Sequence, residues 1–349
     1  MRQAMRGVAW GGLLALLALP MLGQDALRNA RIEERAGTIE EAVRGALKNA
    51  TGATWITWSV PQSGGQSLCC CDGQGRRESP CTLEEDRGFG SSSDEMASRA
   101  PMVMQVFLRI SAGRLERLRV VSEGCIIDAG GRTVVRLRDV GPKESLEFLA
   151  ALAKGRDEAS TRLTDPALMA IAHHGGPAAD AVLEGMTAPE RPEELRKKAA
   201  FWMGAARGRR GYETLARLVR EDASDRFREH VVFALSLSSE PAAVDAMLDV
   251  ARRDASPGVR GQALFWLGQK AGRKAVDGIT RAIEDDPETD VKKKAVFALS
   301  QLPKDEGVPL LLRTARTNRN PTVRREAMFW LGQSKDPRAL AFFQEVLGR

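Results

Sequence analysis

Apolar positions in the second half of the chain recur with a fixed period. Phe201, Phe233, Phe265, Phe297 and Phe329 stand 32 residues apart. Behind them run Met203, Leu235, Leu267, Leu299 and Leu331, then Gly204, Ser236, Gly268, Ser300 and Gly332, in phase across five copies. Each copy holds two amphipathic segments, 259–269 and 275–284 in the third. Val259, Ala263, Trp266 and Leu267 share one face at helical spacing, so they are expected to pack on the second helix. Gly268 is expected to end the first helix, where a residue without a side chain tolerates a left-handed turn. Pro257, Pro287 and Pro321 stand before that helix in three copies, where a missing N–H costs little. A unit this small cannot bury its apolar face alone. The pattern therefore predicts stacked helix pairs, five of them over 192–349.

Two polar columns keep the same period. One is Asp222, Asp254, Asp286 and Asn318; the other, six residues further on, is Arg228, Arg260, Lys292 and Arg324. Stacking should bring them together as a structural ladder between repeats. A pair of this kind fixes register, and breaking it leaves a buried charge without its partner.

A valine and an arginine, then small residues and Leu-Gly, with an aspartate six before the arginine, resemble the HEAT repeat. The short unit is similar to the bacterial HEAT-like, or phycobilisome-lyase-like, subgroup. The likeness covers about 190–349, and Met169, one period before Phe201, extends it in degraded form to about residue 142. The alternation of Trp202, Trp266 and Trp330 with Ala234 and Ala298 stands outside the family pattern and suggests an older two-repeat duplication. The resemblance implies an α-solenoid used for protein binding. It also includes bilin lyases, but no pigment-binding residue carries over from them.

Upstream the texture changes. Residues 25–48 read as one or two helices, with Thr38 and Glu41 at capping-box spacing. Residues 54–60, 103–110, 115–121, 125–127 and 132–137 read as strands. The breaks at 111–113 and 128–131 are of hairpin type, and 73–99 reads as a long loop. The expected fold is mainly α. A small α+β domain with an antiparallel sheet fills 24–141, and the solenoid fills 142–349.

The chain has 349 residues and a formal charge of +6. Residues 1–23 read as a secretory signal: Arg2 and Arg6, an apolar run over 8–19, then Pro20 and small residues. The expected location is the periplasm or the exterior. The alternative is an uncleaved N-terminal anchor, and no membrane span is expected in the mature chain. Losing the signal removes two arginines, a balance with no special pull toward nucleic acid.

Cys69, Cys70, Cys71, Cys81 and Cys125 are disulfide candidates in an exported chain. A metal site and redox exchange are the other readings, although the spacing lacks the paired arms of a zinc site. His173 and His174 diverge on a helix and are expected to cap it or to be solvated. His230 is expected at the surface. No Gly-x-Ser-x-Gly, phosphate loop or His-Glu-x-x-His occurs, and no catalytic residue, cofactor or metal is assigned.

The expected function is an exported scaffold for a protein or peptide partner. Second helices line the concave side, which makes Arg313, Phe342 and Phe343 the leading contact candidates. Phe265 lies about 200° from its helix's inward face. Phe265 and Phe297 therefore either form a convex binding strip or tuck against neighbouring repeats. Rivals are a redox- or metal-responsive sensor built on Cys69 to Cys125, and a lyase-like enzyme.

Overall fold

The computed structural model describes residues 27–48, 52–64, 67–70, 80–85, 89–92, 103–155, 158–270 and 272–348. The signal-like segment, Cys71 and most of 73–99 lie outside these residues.

The N-terminal part is built on strands β1 (Leu27–Arg35), β2 (Thr54–Pro61), β6 (Val103–Ser111), β7 (Arg114–Ser122) and β8 (Ile127–Leu137). Their order is β1-β8-β2-β6-β7, and the short β4 (Cys81–Thr82) also pairs with β8. β3 (Ser67–Cys70) and β5 (Phe89–Ser92) form a separate ribbon. Helix α1 (Ile39–Lys48) connects β1 to β2 and opens with a capping box, Thr38 and Glu41 bonding each other's N–H.

Three sequence expectations are corrected. The sheet is mixed, because β8 runs parallel to both β1 and β2. Residues 27–35 form a strand, not a helix: pairing with β8 overrides the helix-forming composition of LRNARIEER. The break at 128–131 is a bulge inside β8, not a hairpin. Ala129, Gly130 and Gly131 oppose the single Asn29, and both glycines have positive φ.

One sheet face packs on α1, α2 (Pro142–Ala153) and α3 (Glu158–His173). Trp58 Nε1–H donates to Ser145 Oγ at 3.0 Å, a buried bond from sheet to helix. The same apolar cluster continues without a break from Ile39 to Phe342. The other face carries a second cluster around Trp55, Leu83, Phe107 and the disulfide-bonded cysteines.

Beyond α3 and α4 (Pro177–Met186) come five helix pairs. They are α5 (Glu193–Ala206) with α6 (Gly208–Glu221), α7 (Asp225–Leu237) with α8 (Ala242–Arg253), and α9 (Pro257–Lys270) with α10 (Val276–Asp285). α11 (Thr289–Ser300) with α12 (Lys304–Thr317) and α13 (Pro321–Ser334) with α14 (Pro337–Leu347) complete the array. Two rules of the repeat place the helices. Val259, Ala263 and Leu267 are fully buried and seat α9, as Val291, Ala295 and Leu299 seat α11. The aspartate or asparagine closing the first four second helices turns the chain with an Asx bond: Asp222, Asp254, Asp286 and Asn318 each accept the N–H two residues on.

Candidate protein-binding faces of the solenoid

The polar columns meet along the turns. Arg228 grips Asp254 through Nε and Nη2, both at 3.0 Å, and Arg260 grips Asp286 in the same way at 2.8 and 3.0 Å. Each arginine also donates Nη1–H to the carbonyl of the column residue six positions earlier, Asp222 or Asp254. A guanidinium fork thus ties two successive turns. All four side chains are at most 12 % exposed. The bonds from Asp254 and Asp286 raise the pKa of Arg228 and Arg260 above the usual arginine value, against the cost of burial.

Arg196 forms a further rung with Asp222 and lies over the Phe227 ring, 3.8 Å from its centroid. Sequence reasoning missed it, although counting back one period from Arg228 finds it. Lys292 departs from the pattern and bonds Glu284 O at 2.6 Å. Arg324 holds Asn318 O at 2.8 Å.

The glycine column works differently from the expectation. Gly268 lies inside α9 at negative φ, so it does not end the helix. Its role is close approach: a Cβ there would come within 2.8 Å of the Ala298 Cα, and one on Gly204 within 2.0 Å of the Ala234 carbonyl. Trp266 is also placed differently. It leans on Phe233 of the preceding repeat, 4.9 Å between centroids.

The aromatics form a continuous half-buried ribbon along the first helices. Phe201 meets Phe233 at 6.1 Å, Phe265 stacks on Phe297 at 5.4 Å, and Phe297 meets Trp330 at 5.0 Å. Phe201, Phe233, Phe265 and Phe297 each touch a neighbouring repeat while keeping an edge toward solvent. Phe329 is the most open, at 55 %.

On the opposite side the second helices are laced by exposed ion pairs 29 residues apart: Lys274 with Asp245, Arg313 with Glu284, and Arg316 with Glu345. A cleft of about 670 Å³ opens between α8 and α10, floored by Leu248 and Gly278. A second, of about 450 Å³, lies between α10 and α12. Arg313 is on this side. Phe343 is half-buried beside Phe342, 5.5 Å between ring centroids. Phe342 is not available there. It is 3 % exposed and belongs to the core, with Arg316 above its ring at 5.2 Å.

Cys69 and Cys125 are joined by a disulfide, and the buried Cys81 is disulfide-bonded as well. Cys70 ends β3. Beside them Glu84 is pinned by Trp55 Nε1 at 2.8 Å and by Arg109 at 2.9 and 3.1 Å. Burial opposes its charge, but those bonds outweigh it and hold the carboxyl below the usual range.

The histidines are not solvated caps. His173 and His174 are buried where β2 meets the solenoid. Burial, helped by the nearby Arg207, pushes His173 down to about 4. Arg207 clasps the carbonyls of Ala172, His174 and Gly176, and pairs with Asp180. His230 is half-buried, its Nε2 2.8 Å from Lys197 O. Among the described residues no cluster of His, Cys, Asp or Glu has a metal-holding arrangement, and no helix is long and apolar enough to cross a membrane.

A family model for HEAT repeats matches residues 188–268 and 276–349. This half of the chain is a HEAT-repeat solenoid. No curated protein matches the chain. Among solved structures, human deoxyhypusine hydroxylase in complex with glycerol is 18 % identical, with a TM-score of 0.31, over 58 % of this chain and 90 % of its own. The complex of CpcE and CpcF of phycocyanin lyase from Nostoc sp. PCC7120 is 18 % identical, with a TM-score of 0.33, over 59 % and 81 %. Kap95p, whose binding induces the switch loops of RanGDP to adopt the GTP-bound conformation, is 16 % identical, with a TM-score of 0.39, over 59 % and 32 %. At these scores the likenesses carry no functional argument.

Proposed function

We propose that the chain is a scaffold that holds a protein or peptide partner along the face of its second helices. The observation behind this is the continuity of that face. Two clefts open side by side across α8, α10 and α12, and the helices between them are held in register by paired charges. Surface that is continuous over several repeats suits an extended ligand and spreads its binding energy.

The same reading places the protein in the periplasm or outside the cell, through the N-terminal segment. A buried disulfide suits an oxidising compartment. Cell fractionation checks the location.

Partner capture checks the surface. Arg313→Glu, Arg281→Glu and Phe343→Ser should weaken retention of a partner stepwise when combined, with helical content unchanged. Polar replacement of Phe265 and Phe297 is the matched comparison. Binding lost only in folded ribbon variants would move the partner to the first helices, and binding unchanged in both sets would end the scaffold reading.

A further inference from the structure

The ladder is intact at three rungs and broken at the fourth. Arg196, Arg228 and Arg260 each face an aspartate. At the fourth position the arginine is Lys292 and the aspartate is Asn318. Asn318 keeps the turn, since its Oδ1 still accepts the Asn320 N–H at 3.0 Å, but it brings no charge. Its Nδ2 donates to Ile283 O instead. Lys292 Nζ reaches Glu284 O at 2.6 Å, a carbonyl and not a carboxylate. The fourth rung therefore carries a cation that the ladder does not neutralise.

The broken rung borders the cleft of about 450 Å³. Lys292, Arg313 and Arg319 line it against Glu284 and Asp285, and Arg313 is already paired with Glu284. Thr314 and Thr317 spend their hydroxyl protons on helix carbonyls. Thr280 also borders the cleft, but its Oγ1 is closed off from solvent. Lys292, whose ladder partner is uncharged, and the exposed Arg319 border one cavity. Ile283, Leu299 and Leu310 supply its apolar wall.

We propose that this cleft is an oxyanion site, in which a bound carboxylate or phosphate supplies, from beside Asn318, the negative charge that the fourth rung lacks. It would accept from Lys292 Nζ and the Arg319 guanidinium, with its carbon frame against Leu310. Charge-assisted bonds in a partly dry cavity favour such a guest over chloride. The site does not depend on the scaffold reading. A free metabolite and an acidic side chain of another protein offer the same chemistry.

The test is the melting temperature of the full chain in glutarate, in inorganic phosphate and in an acetyl-Ala-Glu-Ala-amide peptide, each against potassium chloride at equal ionic strength. A saturable rise of about 3 °C is expected with at least one of them. A response to the free anions assigns a small ligand; a response to the peptide alone assigns a protein side chain. Lys292→Gln should abolish the rise. Asn318→Asp should also abolish it while raising the unliganded melting temperature, because it restores the missing carboxylate in place. A wild type that responds to none of the three probes, or a response that survives both substitutions, overturns the assignment.

Discussion

Two oxygens of Asp254 serve three donors: the Ser256 N–H at 2.8 Å, and Nη2 and Nε of Arg228 at 3.0 Å each. Asp254→Ala removes the turn bond and strands a guanidinium that is 12 % exposed. The expected loss is about 3–5 kcal/mol by denaturant unfolding, against little change for the exposed Asp277→Ala. Asp254→Asn should cost less, since the amide oxygen can keep the turn, as Asn318 does. The columns themselves were legible, because phase alone exposes them. Which arginine meets which aspartate was not: the partners lie 26 residues apart, an offset set by helix stacking that spacing does not reveal. His173 was misread for a related reason, since residues distant in sequence, among them Trp202 at 6.0 Å between ring centroids, close over it. Its folded pKa is depressed to about 4, so the unfolded chain takes up a proton first as pH falls below about 6.5. Its contribution is full near neutrality and lost between about 6.5 and 4, roughly 3 kcal/mol in all. His173→Phe should flatten the pH dependence of the melting temperature in that window; an unchanged slope would show that His173 does not carry it.

Among the helices, the three glycines of one column make opposite predictions. Gly204 and Gly268 are pressed against the next first helix, whereas a Cβ on Gly332 meets nothing within 4 Å. Gly268→Ala must push α11 away and should cost about 1–3 kcal/mol. Gly332→Ala has no such neighbour and should gain up to about 1 kcal/mol from helix propensity. Equal effects at the two sites would mean that the close approach is not what holds the repeats at their spacing. The sequence shows a glycine recurring near a helix end, and both a cap and a close contact fit that position. Only the helix running on to Lys270 separates them. The same limit explains β1 and the bulge in β8. Local composition favoured a helix and a hairpin, and long-range pairing across about 100 residues decided otherwise. Helix periodicity needed no such help, because successive core positions on each helix lie about one turn apart.

Across the whole molecule, the sheet separates two apolar layers. The inner one is continuous with the solenoid through α2 and α3, and the outer one is closed by the Cys69–Cys125 bond and by Glu84. These layers should respond differently to loss of the cross-link. The two cysteines are 56 residues apart, so on the chain-entropy account their bond stabilises the folded state by about 4 kcal/mol. In Cys69→Ala with Cys125→Ala that loss falls first on the outer layer. Solenoid stability is carried by each repeat's contacts with its immediate neighbours, so a disturbance at one end decays along the stack. Amide exchange measured by mass spectrometry should therefore speed up around β3, β4 and residues 80–85. It should change little in α2 and α3, and not at all from α7 onward. If protection falls equally as far as α13, the sheet and solenoid unfold as one unit, and the outer layer is then part of what holds the binding face together. If the change stops at α2, the cysteine-bearing layer can be altered without deforming the clefts between α8 and α12.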